Sequence, residues 1–278
     1  MKDIKRRIKS VGSTRQITKA MELVASSKLR KAKARAEQSR PYFEALYESM
    51  CEIASANTDF STIFTEKRTV KHRLFIVIAG DRGLAGGYNS NVLKMAAAAH
   101  EQDAEKPKII AIGKKSVEYF TKHGYDVVAG FGDIAENIKP AQAQDIAEIA
   151  IELFRKGEVD DVQLFYTMFI STLSQEPQQM AVLPMQTQQL ENYGTMTYDP
   201  SPEAVFNRIV PRFTASLIQC SVVESYASEQ GARRTAMESA TDNADAMTES
   251  LSLLYNRARQ ASITTEIIDI VSGASAQE

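Results

Sequence analysis

The chain has 278 residues, a formal net charge of -2, 44% hydrophobic residues and 24% charged residues, which is typical of a soluble globular protein. No apolar run is long enough to cross a bilayer, and the first residues lack the apolar core of a signal peptide. The two cysteines, Cys51 and Cys220, lie far apart and away from any histidine cluster. We therefore expect reduced thiols in a cytoplasmic protein, without a disulfide or a metal site.

Residues 1–57 predict a long N-terminal helix. Alanine, lysine, arginine and methionine dominate, and no proline occurs before Pro41, which should kink or restart the helix. An apolar stripe, interrupted once near Thr14, follows the helical period and should face a partner helix. Its members are Ile4, Ile8, Val11, Ile17, Met21, Val24 and Leu29.

The first part of this helix is strongly basic. Between Lys2 and Arg35, twelve basic residues stand against two acids, Asp3 and Glu22. Such a segment is a solvated face, or it binds nucleic acid, a membrane surface or an acidic protein. The absence of aromatic residues before Tyr42 disfavours nucleic acid, because no ring is available to stack on bases. A transit peptide is disfavoured because the apolar stripe continues past any cleavage point.

Residues 70–185 change period and predict a compact α/β domain. Short apolar strands are expected at 73–79, 108–112, 126–129, 162–169 and 178–183, with helices at 92–102, 116–122 and 141–155. Alternating strands and helices predict a mostly parallel sheet with helices on its faces. The last two strands have no helix between them and should form an antiparallel hairpin at one edge. Residues 186–211 are expected to be a polar linker and the start of the next helix.

The glycine-rich turn after the first strand, residues 80–89, lies where a phosphate-binding loop would lie. It has neither the dinucleotide-binding spacing nor the Lys-Ser/Thr of a P-loop. A second candidate, Gly113 to Ser116, has Lys108 where the upstream glycine should be. We therefore interpret residues 80–89 as a tight turn that lets a helix pack close to a strand, with Asp81 and Arg82 in local turn or surface contacts. The three histidines are isolated in the sequence, so no catalytic, cofactor-binding or metal-binding residue is predicted.

Residues 212–278 predict a second long helix. From Arg212 to about Ser272 there is no proline and one glycine, Gly231. Apolar and small residues recur at steps of three and four, which is the seam of a left-handed coiled coil. The seam comprises Met237, Ala240, Ala244, Met247, Leu251, Leu254, Ala258 and Ala261. We expect this helix to pair antiparallel with the N-terminal one. Its acids should then face the basic residues: Glu229, Glu238, Asp242, Asp245 and Glu249.

Long motifs at both ends carry a resemblance to a known family. Residues 4–11 (IKRRIKSV), 16–32 (QITKAMELVASSKLRKA) and 255–274 (YNRARQASITTEIIDIVSGA) resemble the gamma subunit of F-type ATP synthase. Residues 81–84 (DRGL) and 86–89 (GGYN) are similar to the central domain of the same family. The resemblance covers the whole chain. It implies an antiparallel coiled coil of long N- and C-terminal helices plus a central Rossmann-like α/β domain.

The resemblance also implies a function, that of a non-catalytic rotor. The implied partners are the alpha and beta subunits of the catalytic ring, the epsilon subunit and the c-ring of the membrane sector, with no nucleic acid. The implied location is the cytoplasmic face of the bacterial cell membrane, as a peripheral subunit. By motif position, the implied beta-subunit contacts are Met21, Arg233, Gln260, Thr264 and Glu266. The implied apolar tip comprises Ile263, Ile267, Ile268, Ile270 and Val271.

Several positions depart from the family pattern. Gly231 and Arg234 stand where the family commonly has alanine and methionine, and Ala85 stands where a cysteine is common. Two other functions remain open on the residues alone. A nucleotide-using enzyme would need a phosphate-binding loop, and residues 80–89 lack the sequence pattern of one. A nucleic-acid-binding adaptor would leave the C-terminal motif unexplained.

Overall fold

A computed structural model describes residues 1–55, 60–66, 68–100, 105–185 and 197–275. The elements, in chain order, are α1 (Lys2–Ser55), β1 (Arg73–Ile78), α2 (Tyr88–Ala98), β2 (Lys108–Ile112), α3 (Lys114–Lys122), β3 (Asp126–Phe131), α4 (Pro140–Arg155), β4 (Asp161–Phe169), β5 (Gln175–Leu183) and α5 (Pro202–Ser275). Within the described residues, no helix is long and apolar enough to span a membrane. The chain divides into two compact units, Met1–Ala25 with Arg234–Glu278, and Ser26–Arg233.

The larger unit is built on one sheet, whose five described strands lie in the order β3-β2-β1-β4-β5. Strands β3, β2, β1 and β4 are parallel, and β5 is antiparallel to β4. This confirms the predicted parallel sheet and its antiparallel edge hairpin. Alternation of side chains along each strand gives the sheet two apolar faces, and both faces are covered.

One face of the sheet packs on helices α2 and α3. Phe75 and Val77 of β1 meet Val92 of α2 and Phe120 of α3 there, and all four are fully buried. The opposite face is covered by α4 and also by parts of both long helices. The covering residues from α1 and α5 are Met50, Ile53, Phe206, Val210, Phe213, Leu217, Ile218 and Val222. Because these helices complete the core of the sheet, the compact unit extends on both sides of the predicted 70–185 domain.

The two long helices continue through their prolines. Helix α1 runs unbroken past Pro41, so the helix does not restart there, and the alternative of a kink stays a prediction. Helix α5 begins at Pro202 rather than at residue 212 and includes Pro211. Phe206 and Val210 are fully buried in the first turns of α5, and their burial outweighs the hydrogen bond that Pro211 cannot make. The predicted linker falls mostly on residues 186–196, which lie outside the described residues.

In the smaller unit, the two helices pair antiparallel. Arg15 forms an ion pair with Asp245, and the hydroxyls of Thr18 and Thr241 lie 2.8 Å apart in a hydrogen bond. The partner number falls as the residue number in α1 rises, which fixes the antiparallel direction. Arg15–Asp245 also confirms one of the predicted contacts between acidic and basic residues. For Glu238, Asp242 and Glu249 the contact stays a prediction.

The seam between these helices is more polar than predicted. Thr18, Glu22 and Ala25 of α1 are buried, whereas Ile17 and Val24 are 58% and 55% exposed. The predicted stripe is therefore wrong at Ile17 and Val24. In α1 the buried positions keep steps of three and four from Thr18 onward, whereas residues 13–17 are all exposed, in agreement with the predicted interruption near Thr14.

Helix α5 shows the same shift. Met237, Thr241 and Ala244 are buried, but Met247 and Leu254 are 55% and 50% exposed. The predicted seam is therefore wrong at Met247 and at Leu254. A small threonine lets the helices approach and hydrogen-bond across the seam, whereas the larger apolar residues beside it are left on the surface.

Candidate functional site

The order of the strands creates a crevice in the larger unit. From β1 the chain moves to β2 and β3 on one side and then returns to β4 on the other side of β1. In open α/β sheets, ligands bind at such a switch point, outside the carboxyl ends of the strands. Here those ends are Gly80, which follows β1, and Thr167 in β4. The glycine-rich turn therefore lies where a nucleotide would bind in a related fold.

Two side chains of the turn, Asn89 and Asp81, form hydrogen bonds with the backbone of the turn and of neighbouring loops. Asn89 accepts a hydrogen bond from the Gly80 amide at 2.8 Å and donates one to the Arg82 carbonyl at 3.1 Å. The Asp81 carboxylate accepts bonds from the amides of Lys114 and Asp133, at 3.0 and 2.9 Å. Asp81 therefore joins the turn to the residues that follow β2 and β3, and these contacts are not local to the turn as was expected.

Helix α5 fills the crevice. The Ser225 hydroxyl accepts a hydrogen bond from the Thr167 amide, and the Ser228 hydroxyl donates one to the Thr167 carbonyl, both at 3.0 Å. The Glu229 side chain lies directly on Gly80, because a Cβ at residue 80 would come within 2.9 Å of the Glu229 carboxyl carbon. The glycine is required here for close approach of a carboxylate of this chain, where a dinucleotide fold would admit a phosphate.

Glu229 is held by Arg233, one turn further along α5. The two side chains are 5% and 10% exposed and form a hydrogen-bonded ion pair at 2.5 Å. Arg233 also donates a bond to the Gly83 carbonyl at 3.1 Å. Burial raises the pKa of Glu229 above its ordinary value, and the charge of Arg233 opposes that rise. The crevice thus already contains a paired buried charge, so an added phosphate would meet a carboxylate.

This pair differs from the sequence-based expectation for Glu229. Glu229 was expected to face the basic N-terminal helix, but it binds Arg233 of its own helix. Basic residues of α1 are satisfied elsewhere in the larger unit: Lys28 binds the Glu136 carboxylate at 2.7 Å, and Arg35 donates to the Glu136 carbonyl at 3.1 Å. The hydrogen bond from Lys28 lowers the pKa of Glu136.

The other predicted contact residues lie in the smaller unit. Met21 is half-buried, and Gln260, Thr264 and Glu266 are exposed. The Thr264 hydroxyl donates to the Gln260 carbonyl at 2.9 Å, within the helix. Their contact with beta subunits stays a prediction, as it does for the buried Arg233.

The predicted apolar tip is exposed wherever it is described. Ile263, Ile267, Ile268 and Ile270 are 47%, 56%, 57% and 71% exposed. The side chain of Val271 lies outside the described residues. Large exposed apolar residues close together in the sequence are unusual on a soluble monomer and mark a surface that another molecule covers.

The sequence reasoning missed further residues of this kind. Leu23 is 61% exposed and joins Ile17 and Val24 on the surface of α1, and Leu253 is 57% exposed beside Leu254 on α5. The signal that could have found them is the seam register, because a seam through Thr18 and Thr241 places its apolar neighbours outside. Within the described ranges, no group of three or more His, Cys, Asp or Glu side chains could hold a metal ion.

Comparisons with known proteins bear on the whole chain. A family model described as ATP synthase matches residues 1–277. The ATP synthase gamma chain of Ruminococcus albus is 52% identical over 99% of this chain and 97% of that protein. The sodium-ion-specific ATP synthase gamma chain of Acetobacterium woodii is 44% identical over 99% of this chain and 98% of its own length.

The fold is also found in a solved structure. A chain of the Euglena gracilis mitochondrial ATP synthase, in a structure of its OSCP, F1 and c-ring, has a TM-score of 0.70 at 19% identity. The match covers 99% of this chain and 94% of that one. On the family match and the relatives above, the chain belongs to the ATP synthase gamma-chain family.

Proposed function

We propose that the chain is the non-catalytic central-stalk rotor of an F-type ATP synthase. Its rotation would couple ion flow through the membrane sector to ATP synthesis or hydrolysis at sites in the beta subunits. The proposed partners are the alpha and beta subunits, the epsilon subunit and the c-ring. The proposed location is the cytoplasmic face of the bacterial cell membrane, as a peripheral subunit. The observation that carries the proposal is the set of exposed apolar residues on the paired terminal helices.

Apolar contacts suit a shaft that turns inside a ring. They are non-directional, so a side chain such as Ile267 can move across an apolar surface without breaking a hydrogen bond at each step. A shaft that is not threefold symmetric contacts three chemically identical sites differently at any instant. Such differential contact is what changes the affinities of the sites as the shaft turns.

The filled crevice supports a role without catalysis by this chain. The position that would receive a nucleotide is taken by Ser225, Ser228 and Glu229 of α5. The α/β unit then serves as a support for the long helix. We propose that nucleotide chemistry belongs to the ring subunits alone.

The test is the substitution Ile267→Asp, with Ile267→Val as the matched control. Because Ile267 is 56% exposed, the aspartate should leave thermal unfolding of the isolated chain unchanged. Burying an unpaired carboxylate against an apolar inner surface of the ring would cost on the order of several kcal/mol of binding free energy. Ion pumping driven by ATP in inverted membrane vesicles should therefore fall strongly for the aspartate variant and stay near the parent level for the valine variant.

The measurement pairs pumping with ATP hydrolysis by the same vesicles, after complex assembly has been checked on native gels. Replacing Gln260 or Glu266 singly with alanine should weaken the coupling of hydrolysis to pumping without preventing assembly, because the interaction of the shaft with the ring is spread over many side chains. If Ile267→Asp complexes assemble and pump as well as the parent, the proposed contact of this tip with the ring is wrong.

A further inference from the structure

Six residues join helix α5 to the open end of the sheet. They are Gly80, Thr167, Ser225, Ser228, Glu229 and Arg233, and we call them the crevice clamp. We propose that the crevice clamp is a torque-transmitting joint between the sheet and helix α5, and that Glu229 is its positioning residue. This inference rests on the proposed rotor function, because only a rotor loads the contact between its α/β unit and its long helix.

Helix α5 holds the glycine-rich turn at two points. Glu229 lies against Gly80, and Arg233, one helical turn later, donates to the Gly83 carbonyl at 3.1 Å. The 2.5 Å pair between the two side chains links these points. Movement of α5 along its own axis would have to break the bond to Gly83 and lift the carboxylate off Gly80.

Helix α5 also forms hydrogen bonds with β4 where strand β1 no longer does. Strand β1 pairs with β4 only as far as Val77 opposite Phe165. Beyond that point, none of the described strands lies beside the edge of β4 that faced β1. The Thr167 amide and carbonyl are instead bonded to Ser225 and Ser228. The helix therefore continues the hydrogen bonding of the sheet, and hydrogen bonds are directional where apolar packing is not.

The buried pair Glu229–Arg233 acts on geometry more than on stability. A buried ion pair contributes little net stability, because desolvation offsets the attraction, and an apolar replacement is often as stable. What a buried pair does enforce is geometry, since neither charge can leave its partner without a large penalty. The pair Glu152–Lys156 has the same i,i+4 spacing but is exposed, with side chains 65% and 57% accessible. Only the buried pair also contacts the turn of the sheet.

Helix α5 runs on without interruption from the clamp to Ser275. When ATP hydrolysis drives the shaft, a loose clamp would let helix α5 turn before the α/β unit follows. ATP hydrolysis would then continue while less of the rotation reached the membrane sector. The expected defect is therefore a loss of coupling, without a loss of hydrolysis.

The experiment uses the assembled ATP synthase in inverted vesicles and measures ion pumping per ATP hydrolysed. Glu229→Gln keeps the shape of the side chain and removes its charge. Gly80→Ala keeps both charges but forces the carboxylate away, since its Cβ would lie 2.9 Å from the Glu229 carboxyl carbon. The matched control is Glu152→Gln, which removes the charge of the exposed i,i+4 pair.

For both clamp variants we expect ion pumping per ATP to drop by about fivefold, a size typical of coupling between distant sites, with hydrolysis near the parent rate. Glu152→Gln should match the parent, and Glu229→Asp, which retains the charge, should recover part of the coupling. If Gly80→Ala complexes pump like the parent, the clamp is not a joint, whatever Glu229→Gln does. If hydrolysis, pumping and assembly fall together in both variants, Glu229 serves folding alone and the inference is overturned. Failure of the parent complex to pump would instead refute the proposed rotor function.

Discussion

Gly231 lies where helix α5 packs on the β4–β5 hairpin. We predict that Gly231→Ala raises the free energy of unfolding of the chain. The residue is buried inside α5, where alanine is favoured over glycine by about 1 kcal/mol. The added Cβ would lie 3.2 Å from an edge carbon of the Phe169 ring and 3.4 Å from the Gln175 side-chain nitrogen. Phe169 is half-buried and lies at the end of its strand, so its ring can move by the few tenths of an ångström that are needed.

The expected balance is a gain of about 1 kcal/mol from the helix less about 0.5 kcal/mol for moving the ring, because overpacking costs most where neighbours cannot yield. The net gain of about 0.5 kcal/mol corresponds to a rise of about 1–2 °C in the melting temperature. The assay is thermal unfolding of the isolated chain followed by circular dichroism.

Gly12→Ala is the matched control, since a Cβ at Gly12 meets no atom within 4 Å and reports the helix preference alone. The ammonium of Lys33 lies 4.4 Å from the centre of the Phe169 ring. A shift of the ring would therefore also change this cation–π contact. A melting temperature of Gly231→Ala below that of the parent would show that Phe169 is fixed and that the reasoning about this contact is wrong.

Two further predictions concern polar groups elsewhere in the fold. Thr18→Val should lower the free energy of unfolding by about 1 kcal/mol. The double change with Thr241→Val should lower it by less than the sum of the two single changes, because no hydroxyl is then left without its partner across the seam. Chemical denaturation of the parent, the two single variants and the double variant measures this. Asp160 accepts the amides of Lys71 and His72, at 3.0 and 3.1 Å, and although burial opposes the effect, these bonds hold its pKa below the ordinary value. Because the folded pKa is lowered, the stabilisation is present above the unfolded pKa and is lost as pH falls through the folded one. Asp160→Ala should therefore cost about 1 kcal/mol at pH 7 and less near pH 3, and an equal cost at both values would contradict this account.

The α/β architecture could be predicted because its signal is local. Each strand is a short apolar run, and each helix between strands has a clear period, so the order of elements fixes a parallel sheet with few alternatives. The missing helix between β4 and β5 predicted the antiparallel edge for the same reason. The extent of the core was not predictable in this way, because Met50 and Phe206 belong to helices whose contact with the sheet is set by tertiary packing.

The coiled-coil seam shows a different limit. Two registers fit the spacing of α5, one through the larger apolar residues Met247 and Leu254 and one through Thr241. Apolar size favours the first on the sequence alone, yet the structure adopts the second around Thr241. The hydroxyl pair Thr18–Thr241 needs both helices to be seen at once, since each threonine alone is a neutral surface residue. The error matters for function, because it hid the apolar residues that face outward.

The crevice illustrates why a glycine-rich turn after a strand is a weak sign of nucleotide binding. Gly80 permits close approach to the backbone, but spacing alone does not reveal which group approaches. In this chain the group is the carboxylate of Glu229, far along the sequence and brought there by α5. The same topology that elsewhere exposes the strand ends to a ligand here presents them to a helix of the same chain. The switch point is therefore filled from within, and Ser225, Ser228 and Glu229 attach helix α5 to it.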